Sequence, residues 1–345
     1  MSGLRTHLLA GQVIPAHPLA LTANRKLDER HQRALTRYYL AAGAGGIAVG
    51  VHTTQFAIRD PAHGLYEPVL SLAAETVAAE LALRPRAFAR IAGVIGRTNQ
   101  AVREAELAAR LGYDAVLLSL AAWRDDSDDG MLAHCRAVAE VLPLFGFYLQ
   151  PAVGGRVLSY EFWRRFAEIP AVVAIKIAPF SRYQTLDVIR AVADAHRDDV
   201  ALYTGNDDNL VVDLLSRFRA GGGELRIVGG LLGQWAVWTR NAVAMLNSLR
   251  RLAPEAPIDP AWLRTATALT DANAALFDAA HSFAGSIPGI AEVLRRQGLM
   301  QGIWCLDPAE GLSRGQVEEI DRVALAYPDL NDDGFVAEHR DRWLS

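Results

Sequence analysis

Short apolar runs alternate with longer stretches of helical period through residues 11–251 of this 345-residue chain, and that alternation constrains the fold more than any other feature. The runs are GQVIPAH (11–17), GGIAVGV (45–51), ARIAGVIG (89–96), DAVLLSL (114–120), LFGFYLQP (144–151), AVVAIKI (171–177), VALYTG (200–205) and LRIVGG (225–230). Between them lie segments that read as helices. LDERHQRALTRYYLAAG (27–43) ends at glycine, TNQAVREAELAARLG has Thr98 or Asn99 as N-cap, and DDNLVVDLLSRFRAGG reads as a helix closed by glycine. A strand repeatedly followed by a helix sets neighbouring strands parallel, and eight such units predict an α/β fold, a (β/α)8 TIM barrel.

The proline-rich stretch LAPEAPIDP (252–260) divides the expected barrel, 1–252, from a C-terminal helical region, 253–345. That region carries PAWLRTATALTDANAALFDAAHS, GIAEVLRRQGL and RGQVEEIDRVALAY. The Asp332-Asp333 pair in NDDGF lacks EF-hand spacing and reads as a solvated turn.

Composition removes several function classes. A formal charge of −4, with no basic cluster, argues against a nucleic-acid partner. Cys135 and Cys305 are far apart and show no metal-ligand spacing, so neither a disulfide framework nor a cysteine-type zinc site is expected. The opening MSGLRTHLLAGQVIP lacks the apolar core of a signal peptide. No window reaches the roughly 18 apolar residues of a membrane span. The expectation is a cytoplasmic protein with no membrane partner.

Catalytic groups of such barrels project from the C-terminal ends of strands. Here these ends are His17, His52 to Thr54, Ser119, Tyr148, Lys176, Gly205 and Gly229-Gly230. Lys176 stands out because the chain has 35 lysines and arginines and only two, Lys26 and Lys176, are lysine. Lys26 sits in a polar turn, whereas Lys176 is flanked by apolar residues in AVVAIKIAP. Desolvation there favours the neutral, nucleophilic amine, which an arginine cannot supply. Tyr148, one strand away, is a candidate proton shuttle, and Thr53 and Thr54 could hold a carboxylate or relay a proton.

Four stretches carry a resemblance to the dihydrodipicolinate synthase/N-acetylneuraminate lyase superfamily. VGVHTTQF resembles the family's Gly-Thr-Thr-Gly-Glu loop, and FGFYLQP its Tyr-x-x-Pro strand end. AVVAIKIAP is similar to the strand bearing the Schiff-base lysine, and YTGNDDNL to the Ser-Gly-Asp-Asp turn. The resemblance implies that Lys176 attacks the ketone of pyruvate or a longer 2-keto acid, with Tyr148 as proton shuttle and Thr53 hydrogen-bonded to it. It also implies that Thr54 and nearby backbone N–H groups hold the substrate carboxylate, and that Gly205 and Ile227 or Val228 line the pocket. No metal or organic cofactor is implied, and a homodimer or homotetramer is.

The pattern is broken in places. Gln55-Phe56 replaces the family's Gly-Glu, and His52 the glycine before Thr-Thr. The arginine of true dihydrodipicolinate synthases aligns with Val153, with Arg156 displaced, and Ala122-Trp123 stands where a Tyr-Tyr pair is expected. These departures argue against lysine biosynthesis. His17 and His52 are candidate substrate-binding or acid/base groups. The expected function is a lyase, an aldolase or dehydratase, acting on a 2-keto acid (a sugar-derived one included) through a Schiff base. The alternatives are a catalytically reduced keto-acid sensor of the same fold and, more weakly, a phosphate-using barrel served by GGLLG (229–233).

Overall fold

The computed structural model describes residues 2–253 and 256–345. Nine strands form one sheet: β1 Val13–Pro15, β2 Gly46–Val49, β3 Ala89–Val94, β4 Ala115–Leu118, β5 Leu144–Leu149, β6 Val172–Ala178, β7 Ala201–Thr204, β8 Arg217–Ala220 and β9 Gly223–Leu232. The strand path runs β1-β9-β7-β6-β5-β4-β3-β2, and a parallel bridge between Ala16 and Ala48 joins its two ends. Eight strands thereby close into a (β/α)8 barrel, with β8 outside the ring. β2, β4 and β7 are buried along their whole length, as strands covered on both faces must be.

The chain divides into two compact units. The first joins the N-terminal segment through Gln12 to Phe88–Leu231. Helix Ser2–Leu9, which the alternation did not signal, buries Leu8, and the Leu8 carbonyl accepts a hydrogen bond from the Tyr203 hydroxyl at 2.8 Å. Two register shifts interrupt the parallel ladders: opposite Leu144/Phe145 of β5 the extra residue is Val173 of β6, and opposite Leu202/Tyr203 of β7 it is Val228 of β9. A shift of one residue exchanges the two faces of a strand, so both bear on the site.

Two sequence expectations are corrected in this unit. The segment after β7 is helical only over Leu210–Leu215; β8 then pairs antiparallel with β9 around Gly221 and Gly222, both at positive φ. Arg-Phe-Arg-Ala alternates with period two, and Gly-Gly admits the tight reversal, so a hairpin forms where a glycine-capped helix was expected. Helix Thr98–Arg110 begins after Arg97 with no side-chain cap; the Thr98 hydroxyl lies 3.0 Å from His134 Nδ1 instead.

The second unit joins Val13–Ala87 to Leu232–Ser345. Asp28 caps helix Glu29–Ala42 by accepting the His31 N–H, and Gly43, at φ 95°, ends it. The C-terminal helices are Ala261–Leu276, Ser286–Arg296, Gln316–Ala326 and Asp333–Trp343. Of the proline-rich boundary, Pro254 and Glu255 lie outside the described residues. Asp332 is not in a solvated turn. It is buried and accepts hydrogen bonds from the Tyr38 hydroxyl (2.7 Å), the Arg240 N–H (3.0 Å) and Gln297 Nε2 (2.9 Å). Among the described residues no helix is long and apolar enough to cross a membrane, and no group of three or more His, Cys, Asp or Glu residues could hold a metal ion.

Candidate active site

Lys176 is the half-buried member of an otherwise buried β6, while Lys26 is exposed. The register pairs Lys176 with Phe147 of β5 and Tyr203 of β7, so these three share one face. The lysine Nζ lies 4.5 Å from the centroid of the Phe147 ring. Burial lowers the ammonium from 10.5 to about 8, against the opposing field of Asp207. More of the amine is neutral at pH 7 than in an ordinary lysine. The site therefore holds an amine ready to act as a nucleophile.

Tyr148 does not share that face. It pairs with Ile177, not Lys176, and its ring packs 5.2 Å from Trp163 of helix Tyr160–Ala167. Its hydroxyl donates to the Leu158 carbonyl (3.2 Å) and accepts the Leu158 N–H (3.1 Å). The shift at Leu144/Phe145 explains the difference from the sequence expectation: one residue of slip brings Phe147 opposite the lysine and turns Tyr148 toward the helix layer.

The turn after β7 is built around the lysine. The Gly205 N–H donates to the Ile177 carbonyl at 2.7 Å. A Cβ at Gly205 would sit 2.6 Å from Lys176 Cε and 2.8 Å from Ala178 Cβ, so only a glycine lets this backbone lie against the lysine stem. Asn206, fully buried, clamps the turn. Its Oδ1 accepts the Phe180 N–H at 3.0 Å, and its Nδ2 donates to Thr185 Oγ1 and Asp213 Oδ2. Asp213 also accepts the Thr204 hydroxyl (2.6 Å) and pairs with Arg182. Two residues beyond Gly205 comes Asp207, whose Oδ1 is shielded from solvent. Burial pushes its carboxyl up to about 7, against the opposing field of Lys176. The sequence marked this turn only by its resemblance to a family motif.

On β9 neither Ile227 nor Val228 pairs level with Lys176. Leu202 pairs with Ile227 but Tyr203 pairs with Gly229, so Val228 is the extra residue of a bulge. Gly229 is thus the β9 residue level with Lys176, and Ile227 shares the opposite face with Leu202 and Ile175. The glycines Gly229 and Gly233 of GGLLG lie in close packing. A Cβ at Gly229 would lie 2.4 Å from the Gln12 carbonyl oxygen, one at Gly233 3.1 Å from Phe277, and the Gly230 N–H donates to Gln12.

In the second unit, His17, Thr53 and Thr54 brace the ends of β1 and β2. His17 is fully buried; its Nε2 lies 2.8 Å from Thr36 Oγ1 and its Nδ1 2.9 Å from Gln32 Nε2. The same Nδ1 also lies 2.9 Å from the Pro18 carbonyl, so both ring nitrogens are engaged in the interior. Burial lowers this histidine to about 4. Both nitrogens of His17 are thus engaged, and burial disfavours its charged form. The Thr53 hydroxyl donates to the Ala16 carbonyl (2.9 Å), and that of Thr54 to the His17 carbonyl (2.6 Å) while accepting the Gly50 and Val51 N–H groups. A hydroxyl has one proton, so neither threonine has one left for a tyrosine or a substrate oxygen in this arrangement. His52 begins the short 3-10 turn His52–Thr54 and remains partly exposed, its ring 6.0 Å from that of Phe56.

A model of the dihydrodipicolinate synthetase family matches residues 10–222. The chain belongs to that family. An N-acetylneuraminate lyase from Citrobacter koseri is 28% identical over 207 residues, 59% of this chain and 65% of the lyase. A 4-hydroxy-tetrahydrodipicolinate synthase from Synechocystis sp. is 34% identical over 138 residues, 39% of this chain and 44% of the synthase. The match thus spans less than half of the synthase and just under two thirds of the lyase. Among solved structures, the dihydrodipicolinate synthase of Cyanidioschyzon merolae with lysine bound has a TM-score of 0.75 at 23% identity, covering 93% of this chain and 99% of that one. YagE of E. coli K12, in complex with pyruvate, has a TM-score of 0.69 at 18% identity, covering 93% and 98%. These likenesses show the fold.

Two departures from the family pattern have a structural reason. Gln55 occupies the position of the family loop's glycine and adopts the left-handed conformation, φ 65°, that glycine takes without strain. Its Oε1 accepts the Leu306 N–H at 2.6 Å. A buried hydrogen bond of this kind contributes about 1 kcal/mol, which offsets a left-handed penalty of roughly 1–2 kcal/mol in part. Arg156 donates to the carbonyls of Asp126 (2.8 Å) and Trp123 (3.3 Å), so it ties two loops together and does not stand in for the missing arginine.

Proposed function

We propose that this protein is a lyase whose Lys176 forms an imine with a 2-keto acid. The observation that carries the reading is the lysine itself: half-buried on a barrel strand, with burial lowering its ammonium to about 8. Its relatives named as synthases and a lyase, and the pyruvate complex of YagE, support the substrate class. In the imine the protonated nitrogen draws electrons from the adjacent carbons. A carbon–carbon bond one position further along can then break to leave an enamine; alternatively, the adjacent carbon loses a proton to form the enamine, which expels a hydroxyl one position further along as water. Aldolase and dehydratase share that intermediate, and the scheme uses no metal or organic cofactor. The departures at Gln55, Val153 and Trp123 favour a substrate other than that of dihydrodipicolinate synthase, a sugar-derived 2-keto acid among those to test. A dimer or tetramer belongs to the same proposal and is read by sedimentation.

The test is borohydride reduction in the presence of pyruvate and a panel of sugar-derived 2-keto acids, followed by peptide mass spectrometry. A reduced adduct on Lys176 is expected; a folded protein that no keto acid labels would refute the reading. One observation favours a second reading, a keto-acid sensor with little turnover: the Tyr148 hydroxyl is bound to Leu158. Turnover of the keto acid that labels best decides between them.

A further inference from the structure

A cavity of about 80 Å³ in the second unit is lined by the C-terminal ends of helices Glu29–Ala42, Tyr66–Leu83 and Asp333–Trp343. Its walls carry four arginines, Arg37, Arg84, Arg86 and Arg342, together with His339, against one acid, Glu80. These arginines come from three separate segments, so no linear basic cluster announces them. Cations at helix C-termini have an ordinary explanation, because each such end carries about half a negative charge. It accounts for two of the four. Arg86 donates to the carbonyls of Ala44 (2.7 Å) and Leu40 (3.0 Å), at the N-terminal end of β2. Arg37 donates to the Trp343 carbonyl and pairs with Glu80 at 3.5 Å. Arg84 and Arg342 line the same cavity, are exposed, and make no ion pair or side-chain hydrogen bond among the described residues.

The charges of the lining do not cancel. The three helix ends supply roughly one and a half negative charges and Glu80 one more, against four positive charges on the arginines. Roughly one and a half positive charges are left over, which matches the charge of about −1.5 to −2 on a phosphate ester at neutral pH and exceeds that of a single carboxylate. The guanidinium fork meets phosphate oxygens with two parallel N–H bonds. Size agrees as well. A cavity needs about 10–15 Å³ to hold one water, so this one admits the five heavy atoms of a phosphoryl group. We propose that this pocket is an anion site for phosphate, free or carried on a small molecule. Arg84 and Arg342 bring the uncompensated charge, and Arg37 and Arg86, held by backbone carbonyls, form fixed walls. The site lies at the opposite end of β2 from the His52–Thr54 turn and uses none of the residues assigned to imine chemistry.

The experiment titrates inorganic phosphate and glycerol 3-phosphate by calorimetry into the wild type, Arg84→Gln, Arg342→Gln and Arg219→Gln, with ionic strength fixed by sodium chloride. Saturable binding is expected in the wild type, weakened about tenfold or more in Arg84→Gln and in Arg342→Gln. Arg219, an exposed arginine of β8 in the other unit, is the control, and its variant should match the wild type. Since the Arg84 and Arg342 side chains donate to no group of the protein among the described residues, their replacement removes no internal bond. A second readout needs no variant: phosphate should raise the melting temperature of the wild type by a few degrees over sodium chloride at equal ionic strength. Tighter binding of the ester points to an organic phosphate as occupant and tighter binding of the free ion to phosphate itself; either upholds the site. No saturable heat and no gain in melting temperature overturn it. Binding that Arg84→Gln and Arg342→Gln leave intact, or that Arg219→Gln weakens equally, puts the anion elsewhere and also overturns it. Succinate bound as tightly as phosphate overturns the phosphate assignment. None of these readouts involves Lys176, so this site and the imine reading stand or fall separately.

Discussion

Adding one methyl group at Gly205 is expected to disable Lys176 without unfolding the protein. The backbone at Gly205 is not left-handed, so alanine brings no conformational strain, and the N–H to Ile177 is unaffected by it. What alanine brings is a carbon 2.6 Å from Lys176 Cε, 3.2 Å from its Cγ and 2.8 Å from Ala178 Cβ. Carbon atoms rest at about 3.5–4.0 Å, so the end of the lysine must move by roughly 1 Å. Overpacking of this size costs about 1–3 kcal/mol of stability, but a 1 Å displacement of a reacting atom can cost about 100-fold in rate. Gly205→Ala should therefore melt only a few degrees below wild type and trap pyruvate on Lys176 about 100-fold more slowly. Thermal denaturation and the mass-spectrometric trapping rate measure the two effects. A folded variant that traps within about threefold of wild type would show that the lysine end has room the contact distances deny it, and the reasoning would fail.

Tyr148→Phe should lower stability by about 1–3 kcal/mol, because the Leu158 N–H and carbonyl lose their partner, while trapping on Lys176 stays within a few-fold of wild type. A 100-fold loss of trapping would instead return the tyrosine to the chemistry. Lys176 binds fewer protons folded than unfolded between about 8 and its ordinary value, so it lowers stability at neutral pH and the penalty vanishes as pH rises through that window. Lys176→Met should consequently melt above wild type at neutral pH, with the difference shrinking toward alkaline pH; a constant difference would contradict this. His17, lowered from 6.5 to about 4, keeps its full stabilising arrangement above 6.5 and loses it as pH falls through that range. Urea titrations should show stability falling on acidification, with a shallower fall in His17→Leu.

Much of the barrel was legible because its strands are buried on both faces, which leaves continuous apolar runs between helical segments. Lys176 was legible for a chemical reason: a chain that uses arginine nearly everywhere keeps a lysine in an apolar strand. The face on which Tyr148 lies was not, because spacing along a chain says nothing about slips between strands, and the single extra residue Val173 in β6 changes which β5 residue faces with Lys176. The same limit hid the bulge at Val228, which sets Gly229, and not Ile227 or Val228, level with Lys176. β8 was masked by its length, since four residues ahead of Gly-Gly fit a frayed helix as well as a strand. Asp332 looked like a solvated loop carboxylate because its partners Tyr38, Arg240 and Gln297 are remote in sequence. The hydroxyls of Thr53 and Thr54 matched a family motif, but their use as braces is visible only in three dimensions.

The hydrogen bond from Leu306 to Gln55 joins residues 251 positions apart. The loop after the His52–Thr54 turn is thereby tied to a segment far along the chain, so loss of that segment's packing would loosen the loop as well.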